Sequence, residues 1–394
     1  MNFILFDENW DNLLPLTYTR PVSELRIGIL TLKEKWEKRL QVKTSYLTQD
    51  YLSQKYPLTT GEINVLVNSS VCPDEVLVTE ILNMKPGQAL LNDENVIAIS
   101  LDEYELKEFT GEITEEYTVV ETKAENIVKI SYPWDIFSNN GVELEKDYEL
   151  LTEGRLSQKL LSTNTVLGDR VFVEEGAVVE CATINANSGP VYIGLDAEVM
   201  EGSVIRGPFA LCEHSALKIG AKIYGPTTIG PHSKVGGEVN NSVITGYSNK
   251  GHDGFLGNSV LGEWCNIGAD SNNSNLKNNY AEVKMWNYTQ KRFIKTGLQF
   301  CGLIMGDHSK CGINTMFNTG TVVGVSANIY GAGFPRNFVP SFSWGGALGF
   351  MEYKLNKVYD VAEKVMERRG IELNDVEKDI LSNIFENTAG YRNF

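Results

Sequence analysis

The chain is short of positive charge, of histidine and of paired cysteine. Its 394 residues hold 35 lysine and arginine against 51 aspartate and glutamate, a formal net charge of −16. That balance argues against nucleic acid and against an anionic membrane surface, since both need a basic face. An anionic small substrate stays open, because a local Lys/Arg cluster can oppose the global sign. The six cysteines (Cys72, Cys181, Cys212, Cys265, Cys301, Cys311) make no CxxC pair, and with only four histidines they give no metal-ligand spacing. The expectation is no metal site and reduced, buried thiols in a cytoplasmic protein. The opening "MNFILFDENW" has too short an apolar run for a signal peptide. No stretch reaches the roughly 20 apolar residues of a membrane span. What is present, 42% apolar and 22% charged residues, reads as a globular protein of two or three domains.

The strongest signal is a beat of six. Ile193, Val199, Ile205, Leu211, Leu217, Ile223, Ile229 and Val235 are each six apart. Four positions after most of them stands a small residue: Ala197, Ser203, Ser215, Ala221, Thr227, Ser233, with Phe209 the exception. The same phase occurs at Leu167, Val173 and Val179, and again at Phe255, Leu261, Ile267 and from Met305 to Ile329. A helix cannot use a period of six, which would carry apolar groups right around its surface, and a flat sheet uses two. Short strands that turn a corner after each inward pair do fit it, and stacking such coils gives them one shared core. Glycine often follows the aliphatic, as at Gly194, Gly230 and Gly262, which is expected to ease the corner. The sequence therefore predicts a parallel β-helix over 151–348.

Outside the coils the pattern changes. "FILF" (3–6), "INVLV" (63–67) and "VIAIS" (96–100) read as buried strands, and "ILTLKEKWEKRL" (29–40) as a helix. This predicts an α/β domain with a parallel sheet over 1–150. Beyond the coils, two short helices are expected within 349–394, the second capped by Asn374 in "NDVE" and both docked at the solenoid end or on a neighbouring subunit. Between Ile267 and Met305 the beat stops, and "AEVKMWN" with "KRFIKTG" predicts a hairpin in a projecting arm, 272–304. Such an arm could cover an active-site cleft or serve only assembly.

The hexad beat resembles the hexapeptide-repeat acyltransferases, which implies a left-handed β-helix and a homotrimer. "LLPLTYTRPVSELRIGILT" (13–31), with Pro15, Leu16, Thr17, Arg20 and Pro21, resembles the opening of sugar-nucleotidyltransferase domains. That implies a Rossmann-like α/β fold, shortened here. The family's Gly-rich phosphate loop is replaced by "DENWDN" (7–12), and its lysine by Val22. An acidic, bulky loop would repel a triphosphate. Arg20 and Arg26 could hold phosphate, or could form structural ion pairs, perhaps with Glu24. The order of the two parts is similar to the bifunctional N-acetylglucosamine-1-phosphate uridyltransferase/glucosamine-1-phosphate acetyltransferase family over most of the chain.

In that family a histidine in a His-x-x-Tyr-Leu-Gly context takes a proton from the attacking sugar amine. "HDGFLG" (252–257), then "GE" (262–263) and "CNIGAD" (265–270), resemble this stretch. The resemblance implies His252 as base, Glu238, Asn266 and Asn275 as substrate contacts, and Ala269 beside the acetyl group of CoA. An imidazole with an ordinary pKa near 6.5 suits that proton transfer. Phe255, Leu276 and Asn240 depart from the family pattern, and Lys250 could supply the positive charge lost at Asn240. Lys310 and Arg336 could reach a CoA phosphate. All four histidines (His214, His232, His252, His308) appear in one outward phase, so His252 could also be a plain surface residue.

These implications point to acetyl or acyl transfer from acetyl-CoA to an amino-sugar phosphate or nucleotide sugar, in a pathway such as UDP-N-acetylglucosamine biosynthesis. One alternative is a UTP- or dTTP-dependent nucleotidyltransferase with Mg2+ in the N-terminal domain. Another is a non-catalytic trimeric scaffold that binds a sugar nucleotide.

Overall fold

A computed structural model describes residues 1–109 and 117–394. The chain forms two units, Met1–Leu13, Arg20–Leu25 and Leu30–Ser131 in the first, and Leu14–Thr19, Arg26–Ile29 and Tyr132–Phe394 in the second. The last segment of the first unit ends at Ser131.

The first unit is a six-stranded sheet with helices. Its elements are β1 (Asn2–Phe6), α1 (Leu32–Leu40), β2 (Thr44–Leu47), β3 (Ile63–Asn68), α2 (Glu75–Leu82), β4 (Gln88–Asn92), β5 (Asn95–Asp102), α3 (Glu103–Glu108) and β6 (Thr118–Glu121). The strand order is β2-β1-β3-β5-β4-β6. Alternate residues of "FILF" serve two cores: Phe3 and Leu5 pack with Trp36 and Leu77, while Ile4 packs with Leu66 and Ile99. A strand buried on both faces has to be apolar throughout, as this one is. Thr31 caps α1, accepting from the Glu34 amide at 3.2 Å while Glu34 accepts from the Thr31 amide at 2.7 Å. The sheet is mixed rather than parallel. From β4 the chain reverses at Asp93, whose φ is +53°, and β5 enters between β4 and β3, so it runs antiparallel to both.

The second unit begins in sequence with segments 14–19 and 26–29, then α4 (Pro133–Thr152), and is dominated by a parallel β-solenoid. Its coils fill three sheets in turn, typified by Val204–Arg206, Phe209–Leu211 and Ala216–Leu217. Ile193, Val199, Ile205, Leu211, Leu217, Ile223, Ile229 and Val235 are all buried in one continuous core. Three hexads make one turn, so each aliphatic stacks on the one eighteen later, as Leu211 does on Ile229 and Leu217 on Val235.

The corners are not made as expected. At the corner after the second sheet, the residue three past the inward aliphatic takes the left-handed conformation without being glycine: Asp196, His214, His232, Tyr247, Trp264, His308 and Ser326 all have φ between 51° and 60°. After the third sheet, Gly202 and Gly220 take that place at φ +72° and +69°. Aspartate and histidine tolerate this region better than most residues. The glycine directly after the aliphatic answers a different need. A Cβ on Gly230 would lie 1.9 Å from the Thr245 carbonyl oxygen, so the stacking distance between coils excludes a side chain there.

The hairpin of the arm forms, pairing Lys284–Asn287 with Arg292–Lys295. Val283, Met285 and Tyr288 are buried and Trp286 stacks on Phe338 with centroids 4.3 Å apart, so this part of the arm lies against the second unit rather than projecting. α5 (Leu355–Glu367) and α6 (Asp375–Asn387) follow the coils, and Asn374 caps α6 by accepting from the Glu377 amide at 2.9 Å.

Candidate functional site

The third sheet and the corners beside it bring four of the ten expected residues to one place: His252, Asn266, Ala269 and Lys310. Lys234, Asn249, Asn266 and Lys310 stand in one register column, each beside its counterpart in the next coil. Across from them runs the end of α5. Between lies a cavity of about 770 Å³, lined by His252, Asn266, Ala269 and Lys310 together with Lys218, Lys234, Tyr247, Trp264, Val365, Arg368 and Arg369. Five Lys/Arg side chains line it and no Asp or Glu does, in a chain of net charge −16. A concave site with one sign of charge concentrates ligands of the other sign. Burial pushes the Lys310 ammonium down to about 8, and its Nζ donates to the His308 carbonyl at 2.8 Å.

His252 is exposed in a four-residue corner between the third sheet, which ends at Lys250, and the first, which resumes at Phe255. On the far side of that corner lie the two other expected substrate contacts. Glu238 is paired in register with Phe255, and its carboxylate accepts from the Tyr224 hydroxyl at 2.6 Å. Asn275 donates to Asn258 Oδ1 at 2.8 Å. Neither lines the cavity, so of the expected groups His252 lines it while Glu238 and Asn275 lie outside it.

Three expectations change. The four histidines do not share a phase: His214, His232 and His308 occupy left-handed corners, and the equivalent corner of the His252 coil is Tyr247. His252 follows the inward Lys250 by two. Lys250 is 2% exposed, in register with Val235, and does not line the cavity, so it is not placed to touch a substrate. Arg26 is also buried, its Nε donating to the Thr245 carbonyl at 3.2 Å and its Nη1 to the Ile29 carbonyl. These bonds anchor segment 26–29, and the expected partner Glu24 instead accepts from Tyr46 and pairs with Lys33. Arg20 is buried in the first unit, and Arg336 is exposed away from the cavity.

The site also uses residues that the motif did not single out. Lys218 and Lys234 sit beside inward aliphatics and read as ordinary surface lysines. Arg368 and Arg369 lie in "MERRG", just past α5, where nothing in the local sequence says that the helix returns along the coils. Tyr247 and Trp264 form the aromatic wall, stacked with centroids 4.4 Å apart.

In the first unit, "DENWDN" follows β1. Asp7 is pushed up to about 7 by burial, its carboxylate accepting from the Val22 amide at 2.9 Å and from the Thr48 hydroxyl at 2.5 Å. Glu8 is paired with Lys129 at 2.7 Å and accepts from Asn68 at 2.6 Å. Among the described residues no group of three or more His, Cys, Asp or Glu could hold a metal ion. No helix is long and apolar enough to cross a membrane, among the described residues.

Residues 3–156 match the family described as Sugar nucleotidyl transferase. Over 144 residues the chain is 32% identical to a bifunctional sugar-1-phosphate nucleotidylyltransferase/acetyltransferase of Sulfurisphaera tokodaii, covering 36% of this chain and 35% of that protein. It is 28% identical over 295 residues to the bifunctional protein GlmU of Methanocaldococcus jannaschii, covering 70% of this chain and 65% of the relative. Neither match reaches two thirds of the relative's own length. Among solved structures, the polySia-specific acetyltransferase NeuO matches at 15% identity, 48% of this chain, 82% of that chain and a TM-score of 0.27. The chain carries a sugar nucleotidyltransferase-family domain at its N-terminus and is related to bifunctional nucleotidylyltransferase/acetyltransferase proteins.

Proposed function

We propose that the solenoid transfers an acetyl or other acyl group from CoA to the amine of an amino-sugar phosphate or nucleotide sugar, with His252 as general base, in a cytoplasmic homotrimer. The observation that carries this reading is the 770 Å³ cavity that joins His252 to five Lys/Arg side chains without a carboxylate. CoA bears three phosphate groups, and such a lining suits them. The thioester would lie at the His252 end, near Asn266 and Ala269. The sugar would approach from the other side of the corner, where Glu238 and Asn275 stand. The amine nitrogen attacks the thioester carbonyl and His252 takes the amine proton. The tetrahedral oxyanion then collapses, the carbon–sulfur bond breaks, and the proton on the imidazolium leaves with the CoA thiolate. Amide and free CoA are the products.

The test is thiol release from acetyl-CoA with a panel of amino-sugar 1-phosphates and nucleotide amino sugars. His252→Ala should lower turnover by about 100-fold or more, within the range of general-base catalysis. Unchanged turnover would remove His252 from the mechanism.

A second reading is favoured by the family match over residues 3–156: the N-terminal domain binds a nucleoside triphosphate or a nucleotide sugar. Given the engaged carboxylates of Asp7 and Glu8, binding without Mg2+-dependent turnover fits this domain better than nucleotidyl transfer. Stabilisation by UTP or dTTP with no pyrophosphate release would support it, and Mg2+-dependent pyrophosphate release with a sugar 1-phosphate would overturn it.

A further inference from the structure

The geometry points to Lys250 as the positioning residue of the His252 loop, a role that rests on the acyl-transfer reading for its catalytic consequence. Lys250 stands in the inward column of the third sheet, where Val199, Leu217 and Val235 precede it, and Ile267, Cys311 and Ile329 follow. Every other residue of that run is apolar or a thiol. The lysine is as buried as its neighbours, and its Nζ donates to the His252 carbonyl at 2.7 Å and the Gly236 carbonyl at 2.9 Å.

A buried ammonium is costly, and an aliphatic residue would fill the column without that cost. The lysine occurs at the one coil where the beat slips and a loop carries an exposed histidine. Local rules broken without a packing gain are found mostly where function constrains the chain. Here the gain is visible in the backbone. The loop is wedged between coils by two left-handed glycines. A Cβ on Gly237, at φ +72°, would lie 2.9 Å from the His252 carbonyl oxygen, and one on Gly254, at φ +116°, would lie 2.1 Å from the Ser271 carbonyl oxygen. Within that gap the His252 carbonyl turns inward, and the ammonium bonds it. The backbone of His252 is thereby fixed from inside the solenoid while its imidazole faces the cavity.

Lys250→Met keeps the volume and the apolar character of the column but removes the donor. In hydrogen exchange of the full-length protein, amides 251–254 should exchange at least tenfold faster, while peptides over Val235 and Ile267 keep their protection. The His252 ring proton signal should move toward that of an unstructured histidine. With acetyl-CoA and the acceptor that gives turnover, kcat should fall at least tenfold and the KM for acetyl-CoA stay within twofold. Unchanged exchange and ring signal at the loop would overturn the role. So would lost protection throughout the third sheet, which marks a lysine that only stabilises the core. If wild-type protein releases no thiol from acetyl-CoA, the acyl-transfer reading fails, and the exchange and ring signals still decide the anchoring.

Discussion

The indole of Trp264 stacks on the phenol of Tyr247, centroids 4.4 Å apart and planes 21° apart. The pair belongs to a ladder of left-handed corners in which His214, His232, Tyr247, Trp264 and His308 follow one another at 4.4 to 6.2 Å. Side chains at a corner of a solenoid stand one above the next, so planar groups stack. Trp264→Ala should cost about 3 kcal/mol, from a buried indole and its ring contacts. Trp264→His should cost clearly less, because imidazole serves the same corner in three other coils. Denaturant unfolding checks both, and equal losses would show that the ring stack contributes little.

Arg26 is read here as an anchor rather than a phosphate ligand. Arg26→Ala leaves the buried Thr245 and Ile29 carbonyls without that donor and should cost about 2–3 kcal/mol. Affinity for UTP and dTTP, measured by calorimetry, should not change by more than twofold. Loss of nucleotide binding with little loss of stability would restore the phosphate role.

Asp7 makes the first unit sensitive to pH. Its folded pKa of about 7 lies above the ordinary 3.8, so between those values the folded state holds a proton that the unfolded state has released. Stability should therefore fall as pH rises from about 4 to about 7 and flatten above. Asp7→Asn keeps an acceptor for the Val22 amide and needs no proton. At pH 8 it should be more stable than wild type by roughly 2–4 kcal/mol, a gain that vanishes near pH 4. A variant that is less stable than wild type at pH 8 would contradict this.

The hexad beat was legible from Ile193 to Val235 because the period itself is the geometry: three sixes make one turn and place each of these aliphatics inward. Outside that run Leu167 is exposed, and Leu256, not Phe255, lies in the core. The corners were misread because the same stretch offers two special positions. Glycine directly after the aliphatic meets a close approach between coils, while the bend lies three past the aliphatic. It is taken by aspartate, histidine, tyrosine, tryptophan or serine after the second sheet and by Gly202 and Gly220 after the third. The mixed sheet could not be seen, since "FILF" and "VIAIS" look alike whichever way they run. At the site, His252, Asn266, Ala269 and Lys310 could be named because they lie within two coils of one motif. Arg368 and Arg369 could not, because only the path of α5 brings them back to those coils. Lys250, expected to supply the positive charge lost at Asn240, lies in the inward column, a placement that no local sequence signal shows.

The cavity's task is tested most directly by calorimetric titration of the full-length protein with CoA. Binding should be saturable and weaken with added salt, and Arg368→Glu with Arg369→Glu should weaken it at least tenfold, or about 1.4 kcal/mol. His252→Ala should leave it within twofold. An absence of binding at millimolar CoA, or binding indifferent to the two arginines, would contradict the reading of this cavity as an acyl-donor site.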